Sequence, residues 1–156
     1  MAQSNNVLVE VKDVKKEFVT SKSLLGKPQK IVHAVDNVNL KIYEGETIGV
    51  VGESGCGKST LGRTILQLIT PTEGQILYKG EDITGLRKEE MRQMRRKMQL
   101  IFQDPYASLN PRMTVKDIIG EPIDIAKIYK TKKERDDRII EVMKQVGLNL
   151  DYLYRY

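Results

Sequence analysis

A glycine-rich run in the first half of the chain contains the residue types that bind polyphosphates. Residues 52–60 read GESGCGKST and match the pattern G-x-x-x-x-G-K-[ST]. Glycines let backbone N–H groups approach phosphate oxygens, Lys58 supplies a positive charge, and the hydroxyl of Ser59 is placed to ligate magnesium. The run therefore predicts a phosphate-binding loop. Its members are Gly52, Glu53, Ser54, Gly55, Cys56, Gly57, Lys58, Ser59 and Thr60.

Such a loop needs a strand before it and a helix after it, and the flanking residues predict both. The apolar run Thr47–Val51 comes directly before the loop and predicts a buried, central strand. After the loop, apolar residues recur at helical spacing as far as Leu68, and Pro71 is expected to stop the helix. A helix that begins near Lys58 directs its first unpaired N–H groups and its positive dipole end at an anion. A glycine-rich turn without a ligand is therefore the weaker interpretation.

Four other segments have the residue pattern of strands. They are residues 7–18, 38–43, 75–78 and 99–102. The first two alternate apolar and polar side chains, which is typical of strands with one buried face. The last two are short apolar runs, and Pro105 follows the second of them. Residues 20–30 have loop composition and are expected to form an exposed excursion between the first two strands.

Three segments after the loop's own helix also predict helices. Residues 86–97 are basic and have a helical pattern. Thr114–Asp117 and Thr131–Glu134 have the spacing of a capping box, so a helix should begin at each. The second of these helices carries one apolar face through Met143 and should stop at Gly147.

Composition limits the classes of protein that fit. The chain has 156 residues, of which 40% are hydrophobic, enough for a single domain with a core. Its apolar runs are too short to cross a bilayer and residues 1–6 lack the features of a secretory signal, which predicts a cytoplasmic protein. Cys56 and His33 are the only residues of their types, which excludes an internal disulfide and a His-rich metal cluster, and His33 is interpreted as an ordinary loop or strand residue. The net charge of +5 is scattered without interleaved aromatic residues, so nucleic acid is not an expected partner.

Two stretches together resemble the ATP-binding subunits of ATP-binding cassette (ABC) importers, in particular the oligopeptide and dipeptide branch. They are residues 45–60, GETIGVVGESGCGKST, and residues 102–112, FQDPYASLNPR. The resemblance extends from about Val7 to Tyr156 and implies an α/β fold, the P-loop NTPase core of an ABC nucleotide-binding domain. It implies three parts within a truncated domain spanning residues 1–156. These are an antiparallel β subdomain with the P-loop strand (7–51), the core from the P-loop to the Q-loop (52–103) and the start of a helical subdomain (104–156).

The resemblance also implies the ligands and the roles of several residues. ATP and Mg²⁺ are the expected cofactors, with Lys58 and Gln103 in catalytic roles. Ser59 and Gln103 would contact the metal, and Gln103 would also contact the attacking water. An aromatic residue upstream would stack on adenine, for which Phe18 is the best match and Tyr43 the alternative.

The implied partners are a second nucleotide-binding subunit, two transmembrane permease subunits and, indirectly, an extracellular solute-binding protein. The expected location is peripheral, on the cytoplasmic face of the cell membrane. This sequence contains no Ser-Gly-Gly-Gln signature after residue 112, no later strand ending in Asp-Glu and no switch histidine. We therefore expect a partial domain that binds nucleotide weakly or not at all, does not turn it over, and self-associates through the unpaired edge of the 47–51 strand.

Other functions remain open on the residues alone. A small kinase or another P-loop NTPase shares the GESGCGKST pattern, but the stretch 102–112 argues against this reading. A nonenzymatic nucleotide-binding or assembly module is a further alternative. In the importer family other subunits choose the solute, so nickel or another small solute is an alternative to peptides.

Overall fold

A computed structural model describes residues 6–22, 28–104 and 108–156 of the chain. The chain divides into two compact units, Met1–Leu100 and Ile101–Tyr156. None of the helices in the described ranges combines the length and the apolar character that a bilayer crossing requires.

The first unit is built on an antiparallel sheet. Its strands are β1 (Val7–Lys22), β2 (Pro28–Tyr43), β3 (Glu73–Tyr78) and β4 (Glu81–Asp82), in the spatial order β2-β1-β3-β4. The strands predicted at residues 7–18, 38–43 and 75–78 are confirmed. The predicted loop over residues 20–30 is too long, because the pairing of Ser21 with Lys30 extends the ladder of β1 and β2 into it. Residues 23–27 of that loop lie outside the described ranges.

One face of the sheet forms the core of this unit. Val9 and Val11 alternate along β1, and an irregularity at Asp13, whose φ is 48°, returns Val14 to the same buried face. Helices α1 (Lys58–Ile65) and α2 (Lys88–Met94) contribute side chains to this core. Both helices were predicted, but each is shorter than its apolar pattern suggested. The buried cluster consists of Val9, Val11, Val14, Val35, Ile76, Ile83, Met91 and Met94.

Two apolar segments do not form the strands that their residues predict. Residues 47–51 and 99–102 are irregular and have no ladder partner among the described strands. Val51 is 92% exposed and Ile101 is 94% exposed. A strand is stable only when its backbone N–H and C=O groups pair with a neighbour. The prediction of a buried central strand before the loop is therefore wrong for this structure, as is the prediction of a strand at residues 99–102.

The second unit contains two helices that begin where the capping boxes predict. In α3 (Val115–Ala126) the hydroxyl of Thr114 accepts a hydrogen bond from the N–H of Asp117 at 3.2 Å. In α4 (Lys132–Gln145) Thr131 and Glu134 cap each other, at 3.2 and 3.1 Å. Gly147, with φ of 71°, follows the end of α4, as predicted. A 3₁₀ turn at Leu150–Tyr152 comes next.

Charged side chains fasten α3 to α4. Arg135 donates from Nε and Nη2 to the two carboxylate oxygens of Asp124, at 2.7 and 2.8 Å. Lys116 donates to Asp136 at 2.7 Å, and this hydrogen bond lowers the pKa of Asp136 below its usual value. Arg135 lies so close to α3 that a Cβ at Gly120 would collide with its guanidinium group. The glycine therefore makes room for the ion pair.

Candidate functional site

The phosphate-loop sequence leads directly into α1, which begins at Lys58. Gly57 is the N-cap residue and has φ of 95°, in the left-handed region that L side chains avoid. A Cβ at Gly57 would also collide with the carbonyl oxygen of Ala34 in β2. Glycine is thus required at this position both for the turn into the helix and for the close contact between the loop and the sheet.

Lys58 turns back into the loop from which its helix begins. Its Nζ donates to the carbonyl oxygens of Gly52 at 2.8 Å and Glu53 at 2.6 Å, and lies 3.4 Å from Sγ of Cys56. These acceptors hold the ammonium group inside the curve of the loop. A phosphate oxygen there would be a stronger acceptor than a neutral carbonyl, because it is charged. Nζ of Lys58 is therefore placed to leave the two carbonyl oxygens of the loop and to donate to a bound phosphate instead.

The start of α1 supplies backbone donors to the same region. The N–H groups of Lys58, Ser59 and Thr60 have no acceptor within the helix, because the first intrahelical bond is from Leu61 to Gly57 at 2.8 Å. Ser59 is exposed, so its hydroxyl is accessible to a metal ion. These free donors and the helix dipole favour an anion at this end of the helix.

A cavity of about 370 Å³ lies beside the loop. Mostly apolar walls with a few polar groups are typical of sites for small molecules, whose volumes range from ~300 to ~1,000 Å³. The loop, α1, β2 and the apolar run before the loop all contribute to its wall. The lining residues are His33, Ala34, Val35, Asp36, Val38, Val50, Val51, Cys56, Gly57, Lys58 and Leu61.

The structure brings the loop residues together, whereas the two candidate aromatic residues lie outside the cavity beside the loop. Phe18 is 39% exposed, with its ring centre 5.2 Å from Nζ of Lys16, and Tyr43 is the last residue of β2. Neither aromatic residue lines the cavity beside the loop. Gln103 belongs to the second unit, where it is exposed at a bend. Among the described side chains, no group of His, Cys, Asp and Glu residues has the arrangement of a metal site.

The sequence patterns did not predict that β2 forms a wall of the cavity. The predicted strand began at Val38, whereas β2 begins at Pro28 and its residues 33–36 also line the cavity. The β-branched residues Ile31 and Val32 were a signal that the strand begins earlier. The contact between β2 and Gly57 is long-range, so no local pattern could have revealed it.

Comparison with known proteins matches the chain to one family. The family model described as ABC transporter matches residues 35–154. The oligopeptide transport ATP-binding protein OppF of Bacillus subtilis is 52% identical over 150 residues, which cover 96% of this chain and 47% of the relative. The dipeptide transport ATP-binding protein DppF of Lactococcus lactis is 49% identical over 151 residues, which cover 96% of this chain and 46% of the relative. The chain thus spans about half the length of the curated relatives it matches.

A solved structure agrees with this match. It is the dimeric structure of a post-hydrolysis state of the ATP-binding cassette MJ0796, bound to ADP and phosphate. It superposes with a TM-score of 0.75 at 28% identity, covering 94% of this chain and 60% of that chain. The α/β cassette fold implied by the resemblance is therefore confirmed. On the family model and on the identity to its relatives, this chain belongs to the ABC transporter family.

Proposed function

We propose that this chain is the ATP-binding part of the ATPase that drives an oligopeptide or dipeptide importer. The observation that supports this most directly is the loop at residues 52–60, with Lys58 turned inward at the start of α1 and a cavity alongside. The family match narrows a general polyphosphate site to ATP. The names of the relatives narrow the transported solute to peptides.

In the proposed mechanism, the β- and γ-phosphates of ATP lie inside the loop. Lys58 leaves the carbonyl oxygens of Gly52 and Glu53 and donates to the phosphates, together with the N–H groups at the start of α1. Ser59 holds magnesium through its hydroxyl. When bound, the ion would neutralise part of the negative charge of the phosphates. The bound phosphates thus accept hydrogen bonds both from Lys58 and from backbone N–H groups that have no acceptor within the helix.

Three roles rest on the family resemblance. Gln103 orients the attacking water and ligates magnesium, for which a side-chain amide has both a donor and an acceptor. Phe18 stacks on adenine, with Tyr43 as the alternative, because a flat aromatic face suits a base. In the complete protein, these residues join the loop in a hydrolytic site.

The proposed assembly follows the same division of the chain. Residues 7–51 form the antiparallel β subdomain with the segment before the P-loop, residues 52–103 the core, and residues 104–156 the start of a helical subdomain that contacts the permease. The partners are a second nucleotide-binding subunit, two permease subunits and, indirectly, an extracellular solute-binding protein. The protein then works at the cytoplasmic face of the membrane.

Lys58→Ala in the complete protein that contains this sequence tests the proposal. We expect ATP affinity to fall at least tenfold, on the order of 1.4 kcal/mol, and magnesium-dependent hydrolysis to be lost, because the charge inside the loop is removed. Arg63→Ala removes an exposed basic side chain from the same helix and is the matched control. Unchanged ATP affinity in Lys58→Ala would overturn the proposal.

For the 156-residue chain alone, we propose weak nucleotide binding or none, and no turnover. Positioning and charge stabilisation both need the second subunit in this family's mechanism. A malachite-green phosphate assay of the purified chain, with ATP and magnesium, measures turnover. Activity that Lys58→Ala abolishes would contradict this expectation.

We also propose that the 156-residue chain self-associates through its exposed apolar runs. Val51 and Ile101 are almost fully exposed, and apolar segments that lie outside the described sheet invite pairing with another copy. Sedimentation velocity should show oligomers that the double variant Val51→Asp, Ile101→Asp shifts to monomer. A wild-type chain that stays monomeric at high concentration would refute self-association.

A further inference from the structure

An imidazole in β2 is fixed beside the phosphate loop. His33 lines the cavity, and its Nδ1 lies 3.0 Å from Oε1 of Glu17 in β1. Glu17 and His33 are direct partners in the β1–β2 ladder, so the sheet itself holds the two side chains together. An ionised carboxylate only accepts hydrogen bonds, and Nδ1 therefore carries the proton. In the neutral ring, Nε2 is then left as an acceptor.

The position of His33 relative to the loop points to the nucleoside half of a nucleotide. Its neighbour Ala34 contacts Gly57 so closely that no Cβ fits between them. A nucleotide with its phosphates on Lys58 and the start of α1 can extend its ribose and the adjoining part of its base along the rest of the cavity. That part is walled by residues 33–36 and Val38 of β2 and by Val50 and Val51.

Few polar groups are available on this wall. Among the residues of β2 that line the cavity, only His33 and Asp36 have polar side chains, the others being alanine and valine. The side chain of His33 is 61% exposed, so a ligand can reach it. A mostly apolar wall with an acceptor on a fixed aromatic ring is suited to orient a ligand that is flat and carries a few donors.

We propose that His33 is a nucleoside-contacting residue, with Nε2 accepting a hydrogen bond from an N–H or O–H donor of the bound nucleoside and Glu17 positioning the ring. This inference rests on the proposed ATP site and assigns a specificity determinant within it. Two parts of ATP offer the required donor, the amino group of adenine and the hydroxyl groups of ribose. Both make the same chemical contact.

Comparing ATP with inorganic tripolyphosphate separates His33 from the phosphate loop. In the complete protein, His33→Thr keeps a residue suited to a strand and should weaken ATP binding about fivefold, without changing tripolyphosphate binding. Ile31→Thr, in the same strand but outside the cavity, is the matched control and should change neither. The role of His33 is overturned if His33→Thr leaves ATP affinity unchanged or weakens both ligands equally. The ATP site itself fails if Lys58→Ala leaves ATP affinity unchanged.

Two analogues identify the donor that His33 contacts. 2′,3′-Dideoxy-ATP lacks the ribose hydroxyls, and ITP lacks the amino group of adenine. The analogue without the relevant donor should bind equally well to the wild type and to His33→Thr. If His33→Thr lowers the affinity for both analogues as much as the affinity for ATP, His33 accepts a hydrogen bond from neither donor and the proposal is overturned.

Glu17→Ala tests the positioning role of the carboxylate. It should weaken ATP binding in the wild type, because the ring is no longer held, and should have no further effect in the His33→Thr background. Tripolyphosphate affinity should stay constant in Glu17→Ala, in His33→Thr and in the double variant. A general loss of structure would instead lower it. A further loss of ATP affinity in the double variant would contradict positioning.

Discussion

The β1–β2 hairpin and the apolar run before the phosphate loop contain similar strand-forming residues and differ in outcome. In the hairpin, β1 pairs with β2 on one edge and β3 on the other, and Val14 is fully buried. In the run, Val51 is almost fully exposed. Since both residues are valines, the residue type cannot explain the difference. β-Branched apolar residues thus give a segment the capacity to form a strand, and an available partner decides whether it does.

The largest expected change in the free energy of unfolding comes from an aspartate placed in the hairpin, compared with one placed in the apolar run. Val14→Asp should destabilise the first unit by about 4 kcal/mol or more, because it buries an unpaired carboxylate in the core. Val51→Asp should change the free energy of unfolding by less than about 0.5 kcal/mol. Urea denaturation of the 156-residue chain, followed by circular dichroism at a dilution where the chain is monomeric, measures both. Equal losses from the two variants would show that residues 47–51 are buried in solution, and the comparison would fail.

A pair of glycines sharpens the comparison with a smaller change. Gly120→Ala should stabilise the second unit by less than the ~1 kcal/mol that helix propensity alone would give, because the new Cβ displaces the guanidinium group of Arg135 from Asp124. Gly49→Ala, in the unpaired run, meets nothing within 4 Å and should be nearly neutral. Thermal unfolding measures both changes.

The control for this prediction is Arg135→Ala. Once Gly120→Ala has displaced the guanidinium group, removing it should cost little more, so the two changes should not be additive. Full additivity would mean that the arginine keeps its contacts, in contradiction to the packing described above.

The smallest effect is a pH dependence of the second unit. Lys116 lowers the pKa of Asp136, so the ion pair stabilises the folded state above the usual carboxylate pKa and is lost as the pH falls through the lowered value. Unfolding midpoints should therefore fall below about pH 4, and Asp136→Asn should reduce the difference between pH 6 and pH 3. An identical pH profile in the variant would show that Asp136 contributes nothing.

The sequence predicts those parts of the fold that depend on neighbouring residues. The caps at Thr114 and Thr131 and the stop at Gly147 are local, because each side chain or glycine acts within one helical turn. The alternation along β1 likewise follows from the chain itself. These elements were therefore predicted with the correct residues.

The arrangement of the site could be predicted only in part. The GESGCGKST pattern fixes the loop, its lysine and its helix, since these residues are consecutive. The pairing of Glu17 with His33 depends on the register of a long hairpin that contains several irregularities, and a shift of one residue in β2 would turn His33 to the face opposite Glu17. The contact of Ala34 with Gly57 depends in turn on how the sheet meets the loop. Such long-range relations require the structure.

The most direct test of the central claim is a crystal structure of the complete protein with magnesium and a nonhydrolysable ATP analogue. The account predicts phosphates inside the loop of residues 52–60, Nζ of Lys58 moved from the carbonyl oxygens of Gly52 and Glu53 to the phosphates, and the nucleoside against β2. A nucleotide bound elsewhere, with Lys58 still on those two carbonyl oxygens, would contradict it.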